Sequence, residues 1–250
     1  MRASSLDEWS IGLQIGGQKV SAEETMKIQR NIVVKYLLDH LDEQARISCL
    51  KACRSRSFTK GEILVAQGDV CQSLLIVTSG EVARQKYTTG GDFTTLDVCG
   101  SGEVLGAECF IAEQNHYAYE IEALSSGSLL SLSKETYFSL VEQYPPLRDN
   151  LQMVLAAYIQ RQDIRIDILS QRSIRQKIAS YLLSQVHSSQ DDLVCEMPGS
   201  KEVTARYFAL PRQSLSRELL AMEKEKLILV SARRVTVLDY ASLVRIVDET

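Results

Sequence analysis

ARYFALPRQSLSRELLAMEKEKLI, the stretch from Ala205 to Ile228, decides the fold of this chain. Its apolar residues recur at three- and four-residue spacing on both sides of a Leu-Pro break, as on the buried faces of two helices. Pro211 suits the first turn of the second helix. The pattern predicts helices over about 201–208 and 212–225 that pack through one apolar set. That set is Ala205, Phe208, Leu210, Leu215, Leu219 and Met222.

The second helix carries a polar face near its N-terminus, formed by Arg212, Gln213, Ser216 and Arg217. Spacings of one, four and five residues put these side chains on one side of a helix. In the major groove of DNA, Arg donates two hydrogen bonds to guanine, Gln pairs with adenine, and Ser tolerates several bases. The face therefore predicts a recognition helix.

A solvated protein surface is the alternative reading of this face, because Glu218, Glu223 and Glu225 are near enough to pair with its arginines. Two observations favour DNA. From residue 201 onward there are 9 Lys and Arg and 7 Asp and Glu, a balance of 9 − 7 = +2, whereas the whole chain carries −4. A β-rich hairpin, LILV–SARR–VTVL, also follows, and this order of elements is that of a winged helix-turn-helix.

Residues beside the two helices are placed to contact phosphate. Ser200 is expected to cap the first helix, and Lys201 and Arg206 lie within reach of a DNA backbone. Arg233 and Arg234 occupy the turn of the hairpin, where they are expected to meet the flanking phosphates.

From Phe58 to about Leu132, short β-forming runs alternate with glycine-bearing turns every 8–12 residues. This period predicts a small antiparallel barrel or sandwich. Residues 21–53 have helical apolar spacing, which predicts a helical segment. Residues 1–20 are mixed and glycine-containing, so we expect them to be loosely ordered or to pack as an arm.

A long helix is predicted to begin at Pro145 and Pro146 and to end near Ser170. Its apolar stripe either packs on the chain's own barrel or pairs in parallel with the same helix of a second subunit. The sustained repeat favours the pairing, although Gln162 and Arg165 interrupt a strict heptad. The stripe consists of Leu151, Val154, Leu155, Tyr158, Ile159, Ile166 and Leu169.

The quoted stretch resembles the DNA-binding motif of the Crp/Fnr transcription regulators. FTKGEILVAQGDVCQSLLIVTSGEV (58–82) resembles the family's first strands, and GSGEVLGAECFI (100–111) resembles its Gly-Glu turn, so the resemblance covers residues 58 to about 240. It implies an α+β protein with an antiparallel β-roll (a double-stranded, cupin-like β-helix) and flanking helices. A long dimerisation helix and a C-terminal winged helix-turn-helix would complete the fold.

This resemblance implies an N-terminal arm and helices at 1–57, a sensor β-roll at 58–144, a dimerisation helix at 145–170 and a DNA-binding domain at 171–250. It implies a bacterial, cytoplasmic homodimer that binds an inverted-repeat operator in double-stranded DNA. Dimers of this type read half-sites about one helical turn apart. RNA polymerase and an unidentified small-molecule effector are the further partners that the family suggests.

Two departures from the family pattern bear on DNA binding. Gln213 stands where the family often has Glu, so we expect a different operator, because Glu accepts from cytosine whereas Gln pairs with adenine. Ala209 replaces the usual turn glycine, which predicts strain if the φ angle is positive there.

The resemblance also places an effector pocket in the β-roll, at Gly102, Glu103, Val104, Leu105, Gly106, Tyr117 and Ala118. Members that bind cyclic nucleotides carry an Arg-Ser or Arg-Thr pair where this chain has Tyr117 and Ala118. Residues 102–122 contain five glutamates and no Lys or Arg, and a buried phosphate without a cationic partner is costly. We therefore expect no cyclic nucleotide in the usual mode. Glu103 is left to accept from a ligand hydroxyl, and the effector is an uncharged or cationic molecule or is absent.

Six cysteines in a chain of this length are expected to be reduced and mostly buried. Cys49 and Cys53 lie one helical turn apart, which leaves a redox or metal role open. Their spacing does not match the clustered cysteines of oxygen-sensing relatives, and the three histidines are scattered. We predict no metal site, no iron–sulfur cluster and no other cofactor.

The sequence has no apolar run of the roughly 20 residues that span a bilayer and no signal-peptide pattern, so we expect a cytoplasmic protein without membrane attachment. Phosphate-loop, zinc-protease and nucleophile-elbow motifs are absent, which argues against an enzyme. The remaining alternative is a metabolite- or redox-sensing signalling module that acts through protein partners. A steep salt dependence on random DNA would distinguish a DNA-binding regulator from it.

Overall fold

The computed structural model describes residues 14–15, 18–19, 34, 36–87, 93–113, 115–189 and 192–248. The chain divides into two compact units, one containing residues up to Arg84 and Cys99–Ala157, the other Gln85–Val98 and the residues from Tyr158 onward. No helix among the described residues combines the length and the apolar character needed to cross a bilayer.

The N-terminal region begins with two short antiparallel strands, β1 (Gln14–Ile15) and β2 (Gln18–Lys19). The helical segment predicted for 21–53 is observed only in its last part, as α1 (Glu43–Ala52), and residues 21–33 lie outside the described residues. Asp42 caps α1 by accepting a hydrogen bond from the Ala45 amide at 2.7 Å.

Two four-stranded antiparallel sheets form the β-roll, with strand orders β3-β10-β5-β8 and β4-β9-β6-β7. The strands are β3 (Arg54–Phe58), β4 (Ile63–Val65), β5 (Ser73–Ser79), β6 (Val82–Tyr87), β7 (Phe93–Cys99), β8 (Val104–Leu105), β9 (Glu120–Ala123) and β10 (Gly127–Ser133). Alternate residues of β7 and β9 are buried, and the predicted β-rich architecture is confirmed.

Gly127 allows β10 to pass between its two neighbouring strands. A Cβ at this position would lie 2.1 Å from Ser79 O of β5 and 2.7 Å from Phe58 Cζ of β3. Because β10 pairs with both strands, only a residue without a side chain fits here.

Three helices belong to or follow the roll: α2 (Ala107–Phe110), α3 (Lys134–Gln143) and the long α4 (Pro146–Ser170). The predicted stripe of α4 divides in the structure. Leu151 and Val154 are buried within the chain, whereas Ile159 and Ile166 are 56% and 62% exposed. One part of the apolar stripe is therefore buried within the chain, and another part is exposed.

The C-terminal region is a winged helix-turn-helix, as predicted. Its helices are α5 (Ile174–Gln185), α6 (Lys201–Tyr207), α7 (Arg212–Lys224) and α8 (Tyr240–Asp248), and its strands are β11 (His187–Ser189), β12 (Asp192–Glu196), β13 (Ile228–Ser231) and β14 (Arg234–Val237). The strands form one sheet in the order β11-β12-β14-β13. Helix α8 was not predicted from the sequence. It begins directly after Asp239, whose carboxylate accepts a hydrogen bond from the Ser242 amide at 2.9 Å.

The predicted apolar set forms the core of this region. Phe208 and Leu215 are completely buried, and Met222 packs into the same cluster. Three edge-to-face aromatic contacts join Tyr181, Tyr207 and Phe208 at centroid separations of 5.3–5.9 Å. This packing holds α6 against α5 and fixes the direction in which α7 presents its polar face.

Candidate nucleic-acid interface and effector region

The first helix of the motif begins as the sequence predicts. The Ser200 hydroxyl accepts a hydrogen bond from the Val203 amide at 3.3 Å, which satisfies one of the free N–H groups at the start of α6. Lys201, the next residue, is exposed. Ser200 thus has a structural task of its own, and the lysine beside it is open to a ligand.

Ala209, in the turn between α6 and α7, has a φ angle of +54°. The turn is closed by hydrogen bonds from the Ala209 amide to Arg206 O at 3.1 Å and from the Leu210 amide to Ala205 O at 2.8 Å. The expected strain is therefore present, because a left-handed conformation costs a non-glycine residue about 1–2 kcal/mol.

Pro211 is the N-cap of α7, with φ −61° and ψ 134°, directly before the first turn that it was predicted to suit. An extended ψ at this position turns the chain into the helix, and proline's fixed φ suits that conformation. Arg212 is the first residue of α7.

The predicted base-reading residues share one surface of α7. Arg212, Gln213 and Arg217 are exposed, Ser216 is half-buried, and all four line an open depression together with Pro211. The Arg217 Nε donates to Gln213 O at 3.4 Å, within the helix itself. The face opposite to the core is therefore a contiguous polar surface with two guanidinium groups.

The acidic neighbours of this face are engaged elsewhere. Arg175 of α5 donates to Glu218 at 2.6 Å and to both carboxylate oxygens of Glu225 at 2.7 and 2.8 Å. Glu223 accepts from the Val230 amide at 2.8 Å. The hydrogen bonds from Arg175 also lower the pKa of Glu225, so this carboxyl stays ionised and bound to the arginine.

Among the described residues, no carboxylate oxygen lies within 4.0 Å of the guanidinium of Arg212 or Arg217. The solvated-surface reading expected Glu218, Glu223 and Glu225 to neutralise these arginines. Since all three have other partners, the positive charge of the α7 face is available to a ligand outside the chain.

Arg206, in contrast, has partners within its own unit. Its guanidinium donates to Glu202 at 2.5 Å and lies 4.2 Å from the ring centroid of Phe93 in β7. A phosphate would have to compete with a carboxylate and a cation–π contact for this group. Arg206 is therefore less available than Arg212 or Arg217.

The two arginines of the hairpin differ in the same way. Arg233 donates from Nε and Nη2 to Met197 O at 3.3 Å, so it fastens the turn to the segment after β12. Arg234 is exposed and lies opposite Glu196 in the β12–β14 register. Of the pair, Arg234 presents the more accessible charge.

The predicted effector residues lie in two neighbourhoods. The amide of Gly102 and the carbonyl of Glu103 both bond to Val77, so they close the end of β5. Gly106 packs against Tyr117, because a Cβ on this glycine would approach Tyr117 Oη to 2.7 Å. The remaining predicted residues are Val104 and Leu105, which pair with β5 as β8, and Ala118, which is exposed.

A buried arginine of β6, Arg84, reaches this region, and this was not predicted from the sequence. Arg84 Nη1 lies 3.2 Å from Glu108 Oε1, and Tyr119 Oη donates to the same carboxylate oxygen. The guanidinium carbon lies 5.1 Å from the centroid of the Tyr119 ring. The acidic segment 102–122 therefore contacts a cationic side chain from an earlier strand, and the carboxylate of Glu108 neutralises the charge of Arg84.

Cys49 and Cys53 behave as structural thiols. Burial raises the pKa of Cys49 to about 11 and that of Cys53 to about 12, and Cys53 Sγ donates to Cys49 O at 3.2 Å. Both thiols are protonated at neutral pH, whereas nucleophilic attack and metal ligation require the thiolate. These properties disfavour the redox role that their spacing left open.

Two family models match this chain. The cyclic nucleotide-binding domain matches residues 55–144, which run from β3 to the end of α3. The Crp-like helix-turn-helix domain matches residues 176–246, which include α6, α7 and the hairpin.

Individual relatives agree with these matches. The cyclic AMP receptor protein of Thermus thermophilus is 28% identical over 188 residues, covering 75% of this chain and 85% of that protein. The structure of FixK2 from Bradyrhizobium japonicum has a TM-score of 0.65 at 15% identity, over 78% of this chain and 96% of that one. A CooA mutant from Carboxydothermus hydrogenoformans has a TM-score of 0.70 at 19% identity, over 85% and 94%. The two solved structures establish the common fold.

Proposed function

Because the chain belongs to the Crp/Fnr family of transcription regulators, we propose that it acts as a homodimer whose two recognition helices read an inverted repeat in double-stranded DNA. The observation that supports this best is the exposed face of α7. Its two arginines lack a carboxylate partner among the described residues, although three glutamates follow in the same helix and its cap.

The site residues take two roles in this proposal. Arg212, Gln213, Ser216 and Arg217 contact base edges in the major groove, because they lie together at the N-terminal end of α7. The others contact phosphates or position the groups that do, and so set the register of the protein on the duplex. They are Ser200, Lys201, Arg206, Arg233 and Arg234.

The uncovered part of α4 supports the homodimer. Ile159 and Ile166 are seven residues apart, one heptad, and more than half of each side chain's surface is exposed. Large aliphatic side chains repeated at this spacing are typical of a helix that pairs with a copy of itself.

We assign each part of the chain one of these roles. Residues 58–144 form the sensor, 145–170 pair the subunits and 171–250 bind DNA, with 1–57 as an N-terminal extension of the sensor. A regulator of this kind acts in the cytoplasm, where it meets its operator and RNA polymerase.

We further propose that the effector is not a cyclic nucleotide, although the Thermus relative is named as a cyclic AMP receptor. Tyr117 is buried against Gly106, and the nearby Arg84 is already paired with Glu108. A cyclic phosphate would need a cation that is not committed to a carboxylate. Isothermal titration with cyclic AMP and cyclic GMP is therefore expected to show no submicromolar binding. Submicromolar binding of either nucleotide would contradict this proposal without affecting the DNA-binding one.

Selection of bound fragments from genomic DNA tests the DNA-binding proposal. The enriched fragments are expected to share an inverted repeat whose half-sites lie about one helical turn apart. Binding to random DNA should weaken steeply as salt increases, since phosphate contacts release counterions. If no motif is enriched and random DNA shows no salt-dependent binding, the chain acts through other partners.

A further inference from the structure

The guanidinium of Arg175 in α5 bonds two carboxylates that belong to α7 and its cap. Its Nε donates to Glu218 at 2.6 Å, and its Nη1 and Nη2 donate to the two carboxylate oxygens of Glu225 at 2.8 and 2.7 Å. A separation of seven residues puts the two glutamates on the same side of the helix, about two turns apart. One side chain of α5 therefore contacts α7 at its middle and at its C-terminal cap.

These charges do not stabilise the helices that carry them. Arg175 lies in the first turn of α5, where the helix dipole disfavours a cation, and Glu225 caps the C-terminus of α7, where the dipole disfavours an anion. The hydrogen bond with Glu225, and after it that with Glu218, raises the pKa of Arg175. The favourable partner of each group is therefore on the other helix, and the contact joins α5 to α7.

The Arg175 side chain is held in a defined position. Its helix begins with a capping box, in which the Ser173 amide donates to Gln176 Oε1 and the Gln176 amide donates to Ser173 Oγ, both at 3.1 Å. The side chains of Arg175 and Glu218 are only 31% and 25% exposed. An arginine that bonds both oxygens of a carboxylate has a fixed geometry, and a network of such bonds contributes more than an isolated surface ion pair.

The rotation of α7 about its axis determines which side chains reach a base edge. The apolar side of α7 is held by burial, which has no preferred direction, whereas the hydrogen bonds of Arg175 are directional. A rotation of about 20° would move groups at the rim of the helix by roughly 2 Å, which is enough to break a hydrogen bond to a base. The same rotation would carry Glu218 away from the guanidinium, so the contact opposes it.

We propose that Arg175 is a positioning residue for the recognition helix: it holds α7 in the rotation that aligns the base-contacting side chains and so sets the preference for the operator over random DNA. This inference rests on the proposed DNA-binding function. Base contacts need close alignment, whereas phosphate contacts made by flexible basic side chains tolerate a small shift. Loss of Arg175 therefore lowers the preference for the operator and preserves most of the binding to random DNA.

Fluorescence anisotropy with the selected operator and with a random duplex of equal length, at one salt concentration, tests this proposal. Arg175→Ala is expected to weaken operator binding about tenfold, the size of one lost base contact, and binding to random DNA less than about twofold. Arg172→Ala is the charge-matched control. This exposed arginine lies two residues before α5 and forms no ion pair within the described part of the chain, so both affinities should change less than about twofold.

Arg175→Lys provides the same test if circular dichroism shows that Arg175→Ala does not fold. Lysine keeps the charge but cannot bond both oxygens of Glu225 in the same plane, so operator binding should weaken about three- to tenfold while binding to random DNA is retained. A folded variant that keeps the wild-type ratio of the two affinities, or that weakens both equally, would overturn the positioning role. A wild-type chain that does not prefer the operator would instead contradict the proposed function, and this inference with it.

Discussion

Replacing Arg217 with alanine is expected to weaken operator binding about 5- to 150-fold, which corresponds to a loss of about 1–3 kcal/mol. The Arg217 side chain is exposed, and its Nε donates to the Gln213 carbonyl oxygen at 3.4 Å. Its removal therefore leaves the core of the DNA-binding region intact, and the loss reports the contact with DNA. Preference for one base pair of each half-site should relax at the same time.

Fluorescence anisotropy with the selected operator and its single-base variants, at one fixed salt concentration, measures both effects. Lys201→Ala is the informative comparison, because a phosphate contact should weaken all sequences alike and reduce the salt slope by about one. Arg245→Ala in α8 is the charge-matched control, since this exposed arginine bonds only Ser242 among the described contacts and is expected to change affinity less than about twofold. If Arg217→Ala keeps both affinity and base preference, α7 is not the recognition helix.

Replacing Gly127 with alanine is expected to destabilise the β-roll by more than about 3 kcal/mol. The added Cβ would overlap the backbone oxygen of Ser79 at 2.1 Å and the ring of Phe58 at 2.7 Å. Both neighbours belong to strands that pair with β10, so relief requires one of the two ladders to separate. This is a larger effect than an ordinary surface substitution, because backbone and not a flexible side chain must move.

Thermal unfolding followed by circular dichroism should show a Tm lower by about 6–12 °C, given roughly 2–4 °C per kcal/mol for a domain of this size. Gly100→Ala is the matched control. Nothing lies within 4 Å of a Cβ at Gly100, and its φ is not positive, so we expect a change within about 0.5 kcal/mol. Equal Tm values for the two variants would show that β10 does not approach β5 as described.

The helix-turn-helix could be predicted closely from local sequence. The two helices end within one residue of the predicted limits, at Lys201–Tyr207 and Arg212–Lys224, and the predicted apolar set faces the core. The positive φ of Ala209 was expected only conditionally, from the resemblance to a family that usually has glycine in this turn. Helix α8 was missed although its amphipathic run is visible in the sequence, because the hairpin was taken as the last element.

The charges and thiols could not be predicted in the same way. The sequence places Glu218 and Glu225 beside Arg217, whereas the fold gives both to Arg175, which lies about forty residues earlier in the chain. In the sequence, residues 102–122 are acidic and contain no Lys or Arg, whereas in the fold Arg84 of β6 forms an ion pair with Glu108 of this segment. The spacing in the sequence draws attention to Cys49 and Cys53, whereas in the fold Cys71 and Cys109 share one hydrogen-bond acceptor, the Gly106 carbonyl oxygen, at 3.6 and 3.4 Å.

The sequence by itself determined which side of each helix in the DNA-binding region is apolar, because helical periodicity depends only on residues within a few positions of one another. Tertiary structure alone decided which arginines keep an uncompensated charge and which two cysteines share a hydrogen-bond acceptor. Ion pairs and thiol contacts join residues that are far apart in sequence, and only the packing of whole elements determines which of the many possible partners come within bonding distance.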